Sequence, residues 1–349
     1  MNTFSRAGCG LLVFLCATCL GLAALPSISA PASVRQGDPI LVWLRDSRPV
    51  EEGRAEFRSP SGKLLDSVPV FEARSGQGVK IYGFIFAADM DARPGAYELV
   101  VSGREAGPGP GPAGQSLPGV VAAGRANGSA GVAATKDGGF RKSLVIGIEA
   151  RKFSHEEIRL DGANTEIRSR PDPRKDAEAL RLYEILGTSD EGAVFLDSGL
   201  ALPAGLPRRS AGFGDRRRYL YAGGGSEASV HAGVDIACPQ GTPVRACAAG
   251  RVVFAGMRIV TGNTVILEHL PGLYSIYMHL SELKVSPGFL LGAGELLGLS
   301  GSTGLSTGPH LHWELRVRGK AVDPDYWVSS PPLDKNMPIG KMVSAIEGG

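Results

Sequence analysis

The chain has 349 residues, and 37 Lys plus Arg nearly balance 35 Asp plus Glu, for a formal net charge of +2. That balance excludes a dedicated nucleic-acid face and a polybasic membrane clamp. Glycine (49) and proline (24) together make up about a fifth of the residues, which excludes helical bundles, coiled coils and polytopic membrane proteins and leaves turn-rich β structure.

Residues 1–29 read as an export signal. Arg6 supplies the positive start, Leu11 to Leu25 is almost wholly apolar, and Pro26-Ser27-Ile28-Ser29-Ala30 offers the small residues a signal peptidase needs. A cut after Ser29 keeps Pro31 away from the scissile bond. The alternative is an uncleaved anchor, because the apolar stretch from Gly8 is near the lower limit for spanning a bilayer. Either way the chain is expected outside the cytoplasm, in a periplasm or elsewhere in the cell envelope. A lipidated cysteine is disfavoured, since Leu15 precedes Cys16 and Thr18 precedes Cys19 where a small residue is wanted.

Residues 30–160 are expected to form a β-sandwich accessory domain. Pro39 to Leu44 and Lys80 to Phe86 are β-prone runs, and after the Pro94-Gly95 turn Tyr97, Leu99 and Val101 alternate with small or polar neighbours. Strands at this spacing suggest an immunoglobulin-like fold. Residues 103–139 break the pattern: 25 of these 37 are Gly, Pro, Ala or Ser, and none is aromatic. Such a stretch buries too little apolar surface to offset the entropy of ordering it. The β pattern resumes with Leu144, Ile146 and Ile148, so 103–139 is read as a disordered insertion between two strands of one domain.

Residues 161–202 read as a linker containing one helix, 172–187. Asp172 caps it, Pro173 suits its first turn, Ala177, Leu180, Ile185 and Leu186 supply apolar positions, and Gly187 can end it. From about Phe195 to Trp327 the chain returns to short strands and glycine turns, giving a second domain over 203–330 and a tail over 331–349. The overall class is therefore mainly β, with a short helical connector. If the signal leaves with Cys9, Cys16 and Cys19, only Cys238 and Cys247 remain. These two flank the turn Pro239-Gln240-Gly241 and are read either as a disulfide or as two small buried thiols.

The chemistry lies in the histidines: five of six fall between 231 and 312. In His231-Ala-Gly-Val-Asp235, an imidazole and a carboxylate four apart can converge on one metal if the backbone bends at the glycine. In His310-Leu-His312, a strand places both rings on one face. His231, Asp235 and one of that pair would leave a fourth zinc position open, as in a catalytic site. His279 ends the β-prone run from Tyr274, which would put Tyr277 and His279 on one face. No HExxH glutamate base is present, so the remaining histidines are the candidate proton carriers and oxyanion stabilisers.

From Ser210 to Asp323 the sequence resembles the lysostaphin/LytM-type zinc metalloendopeptidases, which cut peptide cross-links of bacterial peptidoglycan. The matching stretches are Phe213-Gly-Asp-Arg216, His231-Ala-Gly-Val-Asp-Ile236, Gly241-Thr-Pro-Val244, Gly262-Asn263, Tyr277-Met-His-Leu280 and Gly301 through Glu314. The resemblance implies an antiparallel β catalytic domain of the duplicated-hybrid-motif type, with one Zn²⁺ held by His231, Asp235 and His312. It makes His279 and His310 the catalytic histidines, acting on zinc-bound water and the tetrahedral intermediate. One departure is His269-Leu-Pro-Gly272, where the family more often has His-Gly-x-Gly; Pro271 is expected to stiffen that hairpin and reshape one wall of the groove.

Plainer readings apply elsewhere. His155 and His269 are taken as surface or structural residues, Tyr277 as packing, and Arg216 to Arg218 as a solvated basic patch. Glu314 is read as either an outer partner of the metal site or a solvated charge. Gly301 to Gly308 is read as a flat turn that lets a peptide approach the metal. Two functions stay open: an exported zinc endopeptidase, or a non-catalytic member of the same fold that binds the wall or activates another hydrolase. The full set of five site residues favours the enzyme. A cross-link from D-Ala to a diamino acid and an oligoglycine bridge are both compatible substrates, and an N-terminal domain joined by a helix can shield the groove until displaced.

Overall fold

The computed structural model describes residues 26–329 except 77, 106–132, 136–138, 197–198 and 206–208. Most of the expected signal, most of the Gly/Pro/Ala insertion and the C-terminal tail therefore lie outside the described residues. Among the described residues, no helix is long and apolar enough to cross a membrane.

The alternating apolar runs of the first half close into two sheets around one core. One sheet orders β1 (Ser27–Ser29), β3 (Pro39–Asp46), β7 (Val79–Ala87) and β6 (Phe71–Gly76). The other orders β2 (Ser33–Arg35), β10 (Gly139–Glu149), β8 (Gly95–Glu105), β4 (Val50–Arg58) and β5 (Leu64–Pro69), with β9 (Ala133–Ala134) beside β10. Ile40, Val42 and Leu44 from one sheet meet Phe57, Tyr97, Leu99, Val101, Ile146 and Ile148 from the other. Gly139 pairs with Arg104, so the chain ends flanking the insertion are neighbours in one sheet. That arrangement lets a long segment leave and return at little cost to the fold. Strand β1 pairs with β3 and buries Ile28, so a cut after Ser29 would remove this short edge strand.

The second half centres on a sheet ordered β12 (Arg209–Ala211), β15 (Val234–Ala237), β23 (His310–Val317), β19 (Leu273–Leu280), β18 (Gly262–Leu270), β17 (Gly250–Arg258) and β21 (Leu290–Leu291). Strand β24 (Lys320–Val322) lies on β23. A small sheet of β16 (Pro243–Arg245), β22 (Leu296–Leu299) and β20 (Glu282–Leu283) backs it. Another joins β11 (His155–Arg159), β13 (Arg216–Leu220) and β14 (Ser226–Val230), so residues just before the expected linker pair with the second half. Leu311, Trp313 and Leu315 pack with Val265, Leu267 and Tyr277 on one face of the main sheet.

Helix α2 (Pro173–Gly187) lies where the sequence predicts it, with the Asp172 side chain accepting from the Arg174 N–H at 2.9 Å. It covers Ile266, Tyr274, Ile276 and Met278 with Leu182 and Leu186. Leu180, expected on the apolar stripe, is 61% exposed instead, and Leu182 takes its place. Two helices go beyond the expectation: α1 (Gly162–Ser169), and α3 (Pro324–Ser329), which holds Trp327 in a helix rather than a strand. Arg151 ties the halves together by bridging Asp38 and Asp323, and the Asp323 N–H donates to the Gly37 carbonyl at 2.8 Å. Cys238 and Cys247 are free buried thiols, the second of the two readings.

Candidate metal centre

Register brings the donors together. Strands β15 and β23 are antiparallel neighbours with Asp235 opposite His312. His231 precedes β15, and Gly233 between them sits in the expected bend and also allows a close approach. A Cβ there would stand 2.3 Å from the Trp313 carbonyl oxygen. The donor atoms are His231 Nε2, Asp235 Oδ1 and His312 Nδ1, all on buried residues. They lie 3.0 Å (His231 to Asp235), 2.8 Å (His312 to Asp235) and 2.9 Å (His231 to His312) apart. A tetrahedral ion with bonds of about 2.0–2.1 Å sets its ligands roughly 3.3 Å apart, so the spacing suits one small divalent cation.

The hydrogen bonds on the far sides of the rings sharpen that fit. His231 Nδ1 donates to the Gly212 carbonyl at 2.6 Å, and His312 Nε2 donates to Glu314 Oε1 at 2.9 Å. Each ring thereby turns a lone pair toward the other ring and toward the Asp235 carboxylate. Three lone pairs this close repel unless a proton or a cation lies among them. Glu314, buried and also bound by Arg316 Nε at 2.6 Å, is an orienting partner rather than a solvated charge.

His279 and His310 complete the cluster. Their rings lie 4.8 Å apart by centroid, and His310 Nε2 is 3.8 Å from Asp235 Oδ1. Each donates from Nδ1 to a backbone carbonyl at 2.8 Å, His279 to Thr303 and His310 to Gly308, and neither Nε2 makes a hydrogen bond among the described residues. His279 has a left-handed backbone (φ 61°), uncommon for a residue with a side chain. This overturns one expectation. Strict alternation would pair Tyr277 with His279, but the left-handed turn breaks it. Tyr277 is in the core and Met278 lines the groove with His279.

Sequence reasoning missed Arg217. The basic run is not a uniform solvated patch: Arg216 meets Asp91, Arg218 is exposed near Glu157, and Arg217 turns inward. Its Nη2 sits 2.7 Å from Asp235 Oδ2, leaving Oδ1 for the centre, while Nε meets Glu156 at 3.2 Å. Period-two alternation was the available signal, since the middle of three strand residues faces the other way.

Burial alone would raise the Asp235 carboxyl, but hydrogen bonds from His231 and His312 hold it well below the ordinary range. Burial opposes charge on His312, yet its bonds to Asp235 and Glu314 lift it to about 9. His279 is held down to about 3, first by burial and then by the neighbouring His310 and His312, and His310 is lowered mainly by burial.

The cluster opens into a groove of about 780 Å³. Residues 305–310 line it, the last part of the glycine-rich turn among them but not 301–304, while β11 and helices α1 and α2 supply walls from upstream. Asn164 of α1 straps that loop: its Nδ2 donates to the Ser306 carbonyl (3.1 Å) and its Oδ1 accepts from the Ser306 N–H (3.2 Å). Residues 269–272 do not line the groove, so Pro271 shapes no wall; it sits in the hairpin at the other end of β18. His269 is buried and structural, bonded to the Ala249 carbonyl and Ser275, and His155 is exposed at the start of β11.

Residues 229–324 match the family model described as peptidase family M23. The DD-carboxypeptidase/endopeptidase Mpg of Neisseria meningitidis is 48% identical over 95 residues, 27% of this chain and 22% of that protein. The peptidoglycan DD-endopeptidase ShyA of Vibrio cholerae is 36% identical over 139 residues, 40% of this chain and 31% of that protein. The chain thus spans less than a third of the length of either relative. A crystal structure assigned to peptidase M23 from Pseudomonas aeruginosa aligns over 80% of this chain and 88% of its own, with a TM-score of 0.50 and 23% identity, which shows a shared fold.

Proposed function

We propose that this chain, whose residues 229–324 form a peptidase family M23 domain, is an exported zinc-dependent endopeptidase that hydrolyses peptide cross-links of bacterial peptidoglycan. The single observation that carries the reading is the convergence of three anchored lone pairs from His231, Asp235 and His312, with two imidazole Nε2 atoms beside them that make no hydrogen bond among the described residues. The printed activities of the Neisseria and Vibrio relatives support the substrate.

His231 Nε2, Asp235 Oδ1 and His312 Nδ1 would hold Zn²⁺, which when bound supplies Lewis-acid polarisation and a water acidic enough to attack an amide at neutral pH. His310 and His279 then handle protons. Each neutral ring can accept one at Nε2, and as imidazolium can give it to the leaving amine. The carbonyls of Thr303 and Gly308 keep both rings in the tautomer this requires. The N-terminal sandwich is read as an immunoglobulin-like accessory domain, and the apolar N-terminus as the route to the envelope.

Digestion of purified peptidoglycan by the full chain, with products resolved by mass, tests the reading. Cross-linked dimers should disappear with zinc, persist after chelation, and persist with His312→Ala. Digestion that survives both treatments would sink it.

A further inference from the structure

The groove holds one half-buried guanidinium that makes no ion pair among the described residues. Of the guanidiniums lining it from such positions, Arg217 meets Asp235 and Glu156, Arg168 meets Glu227, and Arg316 meets Glu314. Arg258, at the end of β17, differs. Among the described residues no carboxylate reaches ion-pair distance of it, and its hydrogen bonds run only to Thr261 Oγ1 at 3.3 Å and the Glu178 carbonyl at 3.4 Å. The nearby Glu178 carboxylate is used elsewhere, accepting from the Ile259 N–H at 2.9 Å. A guanidinium stays charged at any physiological pH and presents five donors, so most of this one's bonding capacity is unspent in a half-desolvated place. Burial holds its pKa below the ordinary arginine value, outweighing the upward pull of the Glu178 and Glu314 carboxylates, neither of which pairs with it directly.

Its position gives the spare capacity meaning. Thr261, which touches Arg258 through its hydroxyl, accepts the His279 N–H on its carbonyl at 2.9 Å. Arg258 thus stands one residue away from a ring of the proposed catalytic pair, on the same groove. Lys175 lines the same groove from α2. Its ammonium rests on the carbonyls of Arg168 (3.4 Å) and Arg170 (2.5 Å), with no carboxylate partner among the described residues.

We infer that Arg258 forms a subsite for a free carboxylate on the substrate residue whose nitrogen leaves, with Lys175 adding longer-range attraction. The inference rests on the endopeptidase reading and narrows it. Hydrolysis breaks the C–N bond, adds the water oxygen to the carbonyl carbon and returns a proton to the nitrogen. Where that nitrogen sits on a carbon bearing a free carboxylate, the anion lies one carbon from the reacting amide. A terminal D-Ala meets this condition, and so does a diamino acid cross-linked through the amine at its carboxylate-bearing centre. An interior glycine of an oligoglycine bridge does not, because its carboxyl is itself an amide. The subsite therefore selects D-Ala-to-diamino-acid cross-links over glycine bridges. It also suits the same groove to removal of a terminal D-Ala.

The test is calorimetric binding of two stem pentapeptides ending in D-Ala-D-Ala, one a free acid and one a C-terminal amide, to the metal-free full chain. Chelation prevents cleavage and removes the ion as a rival carboxylate site. The acid should bind about tenfold or more tightly than the amide, as expected for charge-assisted bonds. Arg258→Gln should abolish that difference. Glu178→Gln keeps an acceptor for Ile259 while removing the opposing charge, and should widen it. Circular dichroism and thermal unfolding verify that each variant folds. Equal binding of acid and amide by the unmodified chain, no binding of either, or a preference that survives Arg258→Gln overturns the subsite. With zinc restored, preference for the acid without any cleavage of cross-linked dimers would instead sink the endopeptidase reading, and cleavage of dimers without that preference would sink the subsite alone.

Discussion

The metal centre and the groove walls are built on different principles. The centre is fixed by strand register: Asp235 faces His312 across a ladder, and every ring is pinned by a second hydrogen bond on its far side. The walls come from upstream segments: β11 pairs with β13, α2 packs Leu182 and Leu186 on the sheet, and α1 is strapped by Asn164 on Ser306. The difference separates chemistry from selection. Changes at the centre should remove the ion and the reaction together, whereas changes at the walls should alter which peptide binds and leave the ion in place. It also bears on shielding by the upstream segment. Because β11 pairs with β13 and α2 covers Ile266, Tyr274 and Ile276, deleting 30–190 would strip a groove wall and expose the sheet. A gain of activity on deletion, in spite of that lost wall, would support shielding.

The largest effect is expected from His312→Ala, which removes a donor from the middle of the register. Metal content after dialysis should fall below one ion per several chains, and hydrolysis should drop by about a thousandfold or more. Retention of a full equivalent of zinc would break the idea that register fixes the centre. Glu314→Gln should cost less, about ten- to a hundredfold in zinc affinity, because it weakens the anchor of His312 without removing a ligand. Competition with a chromophoric chelator measures this, and an unchanged affinity would return Glu314 to an ordinary buried charge.

The pH dependence follows from His312. Its ring is held at about 9 in the metal-free site, so below that pH it carries a proton that zinc must displace. The protonated form gains as pH falls, so apparent zinc affinity should fall by up to about tenfold per unit below pH 9 and level off above it. Asp235, held well below the ordinary carboxyl range, stays ionised throughout this window and adds nothing to the slope. Calorimetry at pH 7 in two buffers of different ionisation enthalpy should report close to one proton released per ion bound; release near zero would contradict it.

How much of this was legible in the sequence follows the same division. His231, Asp235 and one of the pair His310 and His312 could be picked out from residue type and spacing, whereas the choice of His312 and the roles given to His279 and His310 came from the family resemblance. The two faces of the first sheet pair were readable from alternation at Tyr97, Leu99 and Val101. The walls were not. Helix α1 runs Gly-Ala-Asn-Thr-Glu-Ile-Arg-Ser, with one large apolar residue, so no periodic stripe announces it. Its start signal was present, since Asp161 accepts from the Asn164 N–H at 2.8 Å, but a cap without a stripe is weak. The inward turn of His279 depends on a left-handed φ at a non-glycine residue, which no local pattern encodes. Arg258 acquires its meaning only from lacking an ion pair among the described residues, a property of the assembled groove.

Asn164 gives the finest test of the division, because it touches the active loop without approaching the donors. It is buried, and its amide both donates to and accepts from the Ser306 backbone. Asn164→Ala would leave the Ser306 N–H and carbonyl without those partners, a cost of about 1–3 kcal/mol for groups that water reaches poorly. Ser306 in turn contacts His310 Nδ1 at 3.3 Å and accepts from the Gly308 N–H, so loosening it frees the segment that orients one proton-carrying ring. The proposed metal donors sit on β15, on β23 and just before β15, and the strap touches none of them. Zinc affinity should therefore be unchanged, while kcat/KM on a stem peptide falls several-fold and thermal unfolding shifts down by a few degrees at most. A parallel loss of zinc would mean that α1 supports the metal centre itself, and the separation between a register-fixed centre and a strapped-on wall would have to be abandoned.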